Sequence, residues 1–360
     1  MNWGSVWRGW RNRLIASPAF QRRAAANPLL RPTARRHASA LFDLGAGFIY
    51  AQTALALVES GLLAALFERE LDTAEAAALA DLSPERARTL LRAAVALELV
   101  EPAGEDRWAL AVRGAALAGN PGALAMFAHH KLLYADLADP LAMLRGQSGQ
   151  LARMWRYDPD ADPAAVAAYS ALMRESQAMV AEQALAAYDF SRHRRMLDIG
   201  GGEGAFAARI AAAEPALDVA MFDLPAVAEL ARSRGLVSEQ VTIHAGNFRE
   251  DPLPPGYDLI TLVRVLHDHD DAIAAALLAA TRACLPPRGR LLIVEPMSAT
   301  PGAERAGDAY FGMYLAAMGS GRPRSPAEIQ AILRKAGFAR SRLLSTPIPL
   351  VARALIATRD

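Results

Sequence analysis

The sequence predicts an α/β protein: a doubly wound, largely parallel sheet closed by an antiparallel hairpin, with a mostly helical region before it. Three observations carry this. After about residue 165, apolar runs of strand length alternate with helical segments: "RRMLDIG" (194–200), "DVAMFDL" (218–224), "VTIHAG" (241–246), "YDLITLVRVL" (257–266) and "GRLLIVEP" (289–296). Such alternation builds crossovers and hence parallel strands, a Rossmann-like arrangement. Two last runs, "RLLSTPI" (342–348) and "RALIATR" (353–359), lie close enough to form a hairpin. Finally, Gly200-Gly201-Gly202-Glu203-Gly204 ends the first strand and opens a helix, at the sheet edge where doubly wound folds bind ligands.

The elements follow in chain order. Residues 1–38 form a leader without an acidic residue, in which Trp3, Trp7, Trp10 and Leu14 recur at helical spacing between arginines. Tryptophan with arginine suits a membrane interface; a disordered tail, or one packed on the body, is the alternative, and Gly4 and Gly9 weaken the helix. Residues 39–165 read as a helical domain. Asp72 and Glu75 predict a capping box for a helix over 73–81. Ser83-Pro84-Glu85 predicts the start of another that runs to about Glu98. "LVEPAGEDRWALA" (99–111) then predicts a hairpin that turns at Gly104. Two helices and a hairpin are winged-helix order, which raises DNA binding as a competing function. The candidate recognition helix carries Glu85, Arg86, Arg88, Arg92 and Glu98, a mixed set rather than a basic stripe, so no nucleic-acid partner is expected. Residues 121–150 read as one further apolar helix bearing His129 and His130, which point about 100° apart and so do not form an obvious metal pair. The third division is 166–360.

Composition narrows the class. The chain has 360 residues, 53% of them hydrophobic. Its formal net charge of +1 conceals an asymmetry. Eight arginines precede the first acid, Asp43, leaving 31 basic against 38 acidic residues in the rest. The single cysteine, Cys284, excludes a disulfide framework and a cysteine-built zinc site, and it fits a reducing cytoplasm. No apolar run approaches the ~18 residues of a spanning helix, and no signal-peptide pattern is present.

The glycine loop must serve a ligand that touches backbone. Its G-x-G-x-x-A spacing also fits a nicotinamide dinucleotide, whose pyrophosphate sits on a helix N-terminus. Asp198 precedes the loop, however, and Glu203 lies inside it. Two carboxylates repel a diphosphate but suit a ligand with ammonium and sulfonium cations, such as S-adenosylmethionine. Asp223, about 20 residues past the loop, suits ribose hydroxyls. Gly246-Asn247-Phe248, after the third strand, offers an amide and an aromatic ring for adenine. The expected cofactor contacts are therefore Asp198, Gly200, Gly202, Glu203, Asp223, Gly246, Asn247 and Phe248, with no metal.

"LDIGGGEG", "FDLP", "HAGNF", "VLHDHDD" and "LLIVEP" together resemble, in order, the class I O-methyltransferases of the plant-type small-molecule group. The resemblance spans about 40–360 and implies S-adenosylmethionine, a winged-helix dimerisation domain, a homodimer and a catalytic histidine at His267. Glu295 matches a family acid that flanks this histidine and would orient its imidazole. Two departures stand out: Asn247 replaces the adenine-side aspartate, and Arg324-Ser325-Pro326 stands where a second glutamate belongs, with Glu328 displaced. A narrower resemblance, carried by "WRNRLIASPAFQRRAAANPLLRP", "LFDLGAGFIYAQ" and "MYLAAMGSGRPRSPAEI", is to the bacterial hydroxyneurosporene (demethylspheroidene) O-methyltransferases of carotenoid synthesis. It implies an apolar hydroxylated acceptor. Bacteriochlorophyllide methyltransferases share the architecture.

The chemistry needs a base. An alcohol attacking a methyl sulfonium is a poor acid, and histidine, with a reference pKa near ~6.5, can take its proton at neutral pH. Asp268, Asp270 and Asp271 are expected to cap the helix that follows. His269 then points elsewhere. Tyr310, Met313, Tyr314 and Met318 share a helix face that forms either core or the wall of an apolar pocket.

Overall fold

The computed structural model describes residues 3–155, 163–233, 235 and 240–360, with the side chains of 155 and 163–171 left aside. By internal contacts the chain forms two units, Met1–Gly119 and Asn120–Asp360.

The first unit is mostly helical. Helices α1 (Trp3–Ala16), α2 (Pro18–Ala26), α3 (Arg31–Glu59) and α4 (Leu62–Glu68) lead to strand β1 (Leu71–Asp72). Next come α5 (Thr73–Ala80), α6 (Pro84–Ala96), the hairpin strands β2 (Val100–Pro102) and β3 (Arg107–Leu110), and α7 (Val112–Ala118). The caps fall where the sequence places them. Asp72 accepts from the Glu75 amide at 2.8 Å while Glu75 accepts from the Asp72 amide at 2.9 Å. Ser83 accepts from the Arg86 amide, and the chain turns at Gly104. β3 is central in a three-stranded sheet of order β1-β3-β2, and the Trp108 indole donates to Thr73 Oγ1 at 3.0 Å.

Two expectations change here. The leader is helical through Gly4 and Gly9. And α3, by length and composition alone, is long and apolar enough to cross a membrane. α3 begins at Arg31 and joins short apolar runs that Arg35, Arg36 and Asp43 interrupt in the sequence. Leu41, Phe42, Leu44, Phe48 and Ile49 of α3 are all exposed, as are Trp3, Trp7 and Trp10 of α1.

The second unit opens with α8 (Pro121–Asp136), α9 (Pro140–Leu144) and α10 (Gln150–Trp155). The single helix expected over 121–150 is thus three. Asp139 caps a new start at Pro140 by accepting from the Ala142 amide, and Gly146 turns left-handed at φ 91°. Helix α11 (Pro163–Ala187) then leads into the sheet. Strands β4 (Arg195–Ile199), β5 (Asp218–Asp223), β6 (Val241–Ala245), β7 (Leu259–Val263) and β8 (Arg290–Glu295) are separated by helices α12 (Ala205–Ala213), α13 (Pro225–Ser233) and α14 (Asp271–Cys284). After β8 come α15 (Phe311–Met318), α16 (Pro326–Lys335) and the strands β9 (Arg340–Leu344) and β10 (Arg353–Thr358).

The seven strands lie in the order β6-β5-β4-β7-β8-β10-β9. The first five are parallel, and β10 inserts antiparallel between β8 and the edge strand β9. β9 ends at Leu344 rather than 348, because Pro347 and Pro349 lack the amide hydrogen that a ladder needs. One sheet face packs on α11, α12 and α13 through Val180, Phe206 and Ala231, among others. The other packs on α14 and α16 through Leu277, Ile329 and Leu333. All five residues of β7 are buried, as a central parallel strand requires. The order reverses between β4 and β7, which opens the crevice in which the candidate site lies.

Candidate functional site

The glycine loop runs from the carboxyl end of β4 into α12. Gly200 and Gly202 have φ of 71° and 60°, left-handed values that a side chain disfavours. A Cβ on Gly200 would press on Val265 at 2.7 Å, whereas nothing lies within 4 Å of one built on Gly202. The loop is packed from beneath and open above.

Asp198 and Thr261 are register partners on β4 and β7, so the Thr261 hydroxyl reaches Asp198 Oδ1 at 2.6 Å. Asp198 Oδ2 is buried with no hydrogen-bond partner among the described residues. Burial raises the Asp198 pKa to about 7, against the Thr261 hydrogen bond and with help from nearby Asp223. An unpartnered buried oxygen is costly, and a donor cation above the loop would satisfy it. Asp223, at the end of β5, accepts from the Gly202 amide with one oxygen and from the Leu224 amide with the other, both at 2.7 Å. Burial outweighs these bonds and raises its pKa to about 6.

The remaining expected cofactor residues are placed less simply. Glu203 is nearly buried but faces Arg174 of α11 at 3.4 Å, so the cradle is less anionic than the sequence suggests. Gly246 packs on the Phe222 ring, and the Asn247 side chain accepts from the Arg249 amide within its own loop. The Phe248 ring meets His269 edge-on, with centroids 5.2 Å apart. His269 Nδ1 lies 3.2 Å from an Arg249 guanidinium nitrogen, so this histidine joins the loop after β6 to the turn after β7.

That turn carries the candidate base. Leu266–Asp268 is a short 3-10 helix, and His267 is buried within it. Burial first, then Arg264, Arg324 and His269, lower the His267 pKa to about 3, which keeps the ring neutral. His267 Nε2 lies 3.3 Å from Asp268 Oδ1, and Nδ1 has no hydrogen-bond partner among the described residues. Glu295, fully buried at the end of β8, accepts from the His267 backbone amide at 3.1 Å. It therefore fixes the turn rather than the imidazole. Burial raises the Glu295 pKa to about 7, the His267 amide and Arg324 opposing.

Asp268 is not the helix cap that the sequence suggested. It is buried beside His267, and burial with Glu295 nearby holds its carboxyl well above the usual carboxylate range. Asp270 occupies the N-cap position of α14 but gives no side-chain cap; it accepts from the Gly321 amide. Asp271 instead meets Arg324 at 2.7 Å and Arg322 at 3.2 Å. The displaced Glu328 caps α16 with Ser325 and pairs with Arg322, which lowers its pKa to about 2.

Arg324, in sequence only a departure from the family pattern, is fully buried. It donates to the carbonyls of Leu266 and His269, both at 2.7 Å, and to Asp271. Of the three nearby aspartates only Asp271 meets it, and Arg322 shares that carboxylate, so no local pattern in the sequence marks the role.

A run of aromatic rings leads away from His267. Phe311 lies 5.9 Å from it, Tyr310 lies 5.0 Å from Phe311, and His130 of α8 lies 5.6 Å from Tyr310. His129 and His130 reach the hydroxyls of Tyr314 and Tyr310 at 2.9 and 2.8 Å. Part of the methionine–aromatic face is core: Tyr314 and Met318 pack with Leu133, Met143 and Leu151.

Comparison with known proteins agrees with this geometry. The family model described as an O-methyltransferase domain matches residues 134–339. Demethylspheroidene O-methyltransferase of Cereibacter sphaeroides is 44% identical over 96% of this chain and 94% of its own length. The Rhodobacter capsulatus enzyme of the same name is 42% identical over 92% and 85%. Among solved structures, human N-acetylserotonin methyltransferase in complex with S-adenosylmethionine superposes with a TM-score of 0.78 at 25% identity, over 90% of this chain and 98% of that one. A glycine loop under an open crevice, a buried neutral histidine at the next strand end, and this degree of likeness lead to one conclusion: the chain belongs to the O-methyltransferase family.

Proposed function

We propose that the chain moves the methyl group of S-adenosylmethionine to a hydroxyl of an apolar acyclic carotenoid of the hydroxyneurosporene or demethylspheroidene type. The observation that carries the reading is the placement of neutral His267 between the glycine-loop crevice and the aromatic run through Phe311, Tyr310 and His130. The identity to the two bacterial relatives supports the acceptor class.

The cradle fits the cofactor: Asp198 offers a buried oxygen with no donor among the described residues, and Asp223 stands at the second strand end with its geometry fixed by two amides. When bound, S-adenosylmethionine supplies an electrophilic methyl group on a sulfonium. Asp198 would hold the ammonium group, Asp223 the ribose hydroxyls, and the Gly246–Phe248 loop the adenine. Gly200 and Gly202 allow close approach of the ligand to backbone.

His267 accepts the acceptor's hydroxyl proton as the oxygen attacks. A positioned base contributes about 10²–10⁴ in rate, and alignment of the partners can contribute more. Glu295 and Arg324 act as positioning residues, since each binds the backbone of the turn rather than its ring. The half-buried aromatic run of Phe311, Tyr310 and His130 suits a polyene.

The division of labour we propose is a leader at 1–38, a dimerisation and substrate domain at 39–165, and a cofactor-binding domain at 166–360. The exposed apolar face of α3, Leu41 to Ile49, supports pairing with a second copy of the chain. The exposed tryptophans of α1, with arginines between them, support peripheral contact of a cytoplasmic enzyme with the membrane that holds the carotenoid. Flotation with anionic liposomes should weaken on removal of 1–38; equal flotation would remove the membrane contact.

The central test is incubation of the purified chain with labelled methyl donor and a panel of hydroxylated carotenoids, phenols and tetrapyrroles. Label should enter an acyclic hydroxycarotenoid. Label found only in phenols or tetrapyrroles would overturn the acceptor assignment while leaving methyl transfer intact.

A further inference from the structure

The opposite end of the sheet holds a second, open cleft of about 590 Å³ lined by five arginines, Arg192, Arg290, Arg334, Arg340 and Arg342, all but Arg290 exposed to solvent. It is distinct from the methyl-transfer crevice. Arg290 begins β8 and Glu295 ends it, a separation of about 16 Å along the strand.

The arrangement follows from strand register. Thr358 of β10 pairs with Arg290 of β8 on one side and with Arg340 of β9 on the other. Ile356, two residues earlier, pairs with Arg342. Directly paired residues share a sheet face, so Arg290, Arg340 and Arg342 stand on one face of three adjacent strands. Arg334 reaches the cleft from the end of α16 and Arg192 from the segment after α11. Like charges gathered this way repel, and the local acids do not cancel them. Arg192 pairs with Asp189 at 2.7 Å and Arg340 with Asp360 at 3.6 Å. Among the described residues, the side chains of Arg334 and Arg342 have neither a hydrogen bond nor an ion pair.

The floor is built rather than incidental. Arg290 donates to the hydroxyl of Tyr188, which is 9% exposed, at 3.1 Å. The same hydroxyl lies 2.7 Å from His193 Nε2, and His193 Nδ1 lies 2.8 Å from Asp258. Asp258 is further occupied by the Arg194 and Arg195 amides, so it braces the floor rather than neutralising the cleft.

We propose that this cleft is a second ligand site, selective for an anion bearing two linked phosphate groups. Guanidinium forks match phosphate oxygens two at a time. Arg290 and Arg340 rise from strands two spacings apart, about 10 Å, a wider reach than one tetrahedral anion fills. Ile356 and Ala339 leave part of the lining apolar, compatible with an organic substituent on the diphosphate.

The test uses the full chain with inorganic pyrophosphate as probe, at fixed ionic strength, by calorimetry and thermal shift. Saturable binding is expected, at least tenfold tighter than that of sulfate. The double variant Arg334→Ala/Arg342→Ala should weaken it at least tenfold while S-adenosylhomocysteine binding stays unchanged, which verifies the fold. A second arm distinguishes a free diphosphate from a lipid headgroup. Vesicles of phosphatidylcholine carrying a lipid-linked diphosphate, but not phosphatidylcholine alone, would be bound, and released by pyrophosphate and by the double variant, if the headgroup is the source. Absence of saturable pyrophosphate binding, or equal affinity in wild type and double variant, would overturn the proposal.

Discussion

Cofactor affinity should depend on pH through Asp198, and the size of the effect follows from its burial. Asp198 has its pKa raised to about 7, chiefly by burial, and Asp223 to about 6. If both must ionise to hold a cationic nucleoside, the competent fraction of the free protein sets the apparent affinity. Between pH 8 and pH 6 the ionised fraction of a group with pKa about 7 falls about tenfold, and that of one with pKa about 6 about twofold. S-adenosylhomocysteine should therefore bind about 20-fold more weakly at pH 6, a change of ~1.8 kcal/mol. The sign also governs stability. Folded-state pKa values raised above the unfolded ones favour the ligand-free protein at low pH, and that contribution is lost as pH rises through about 6 to 7. Ligand should thus stabilise the fold most above pH 7, where it relieves two buried charges. Calorimetry across pH 5.5–8.5, in buffers of different ionisation enthalpy, measures both affinity and protons released. Asp198→Asn should bind more weakly at pH 8 and retain only about a twofold change over this interval. A flat profile in the wild type, or equal slopes in wild type and Asp198→Asn, would refute the reasoning.

Further outcomes follow from the site. His267→Ala should reduce methyl transfer by about 10²–10⁴ with little change in S-adenosylhomocysteine affinity, as single-turnover and binding assays would show. Because the His267 pKa is lowered to about 3, its protonation should not produce the acid limb of kcat/KM near pH 6 to 7; that limb should move in Asp198→Asn and persist in His267→Gln. Arg324→Met should lower both melting temperature and kcat, since the buried Leu266 and His269 carbonyls lose their donor, at about 1–3 kcal/mol for each group left unsatisfied, while Asp271 keeps Arg322. Gly246→Ala should cost ~1–3 kcal/mol in chemical denaturation, because its methyl group would meet the Phe222 ring at 2.6 Å.

Much of the fold was legible for a definite reason. Central parallel strands are buried on both faces, so β4, β5, β7 and β8 read as uninterrupted apolar runs, and Asp198 and Asp223 stand out against them. Capping is local chemistry, so Asp72–Glu75 and Ser83 were readable within four residues. The pairings of opposite charge were not. Arg324 reaches Asp271 and the His267 turn across more than 50 residues, and Arg174 reaches Glu203 across 29. A charged side chain in sequence reads as surface, and nothing local marks these as buried or paired. The same limit hid the role of Asp268: three nearby aspartates before a helix fit one capping pattern, although tertiary packing gives each a different partner. The helix expected over 121–150 breaks for a local reason: Pro140 starts a new helix and Gly146 turns left-handed, although the apolar pattern runs through both.

The reach of Arg324 also bears on the order in which the chain becomes competent. Every proposed contact for the methyl donor lies between Asp198 and Phe248, whereas the clasp on the His267 turn arrives some 60 residues after the turn itself has been made. A nascent polypeptide halted before Arg324 already carries each donor-binding group but lacks the fastener that holds its proton acceptor in place. Synthesis from the amino end therefore brings the means of holding the methyl donor first and the means of using it last.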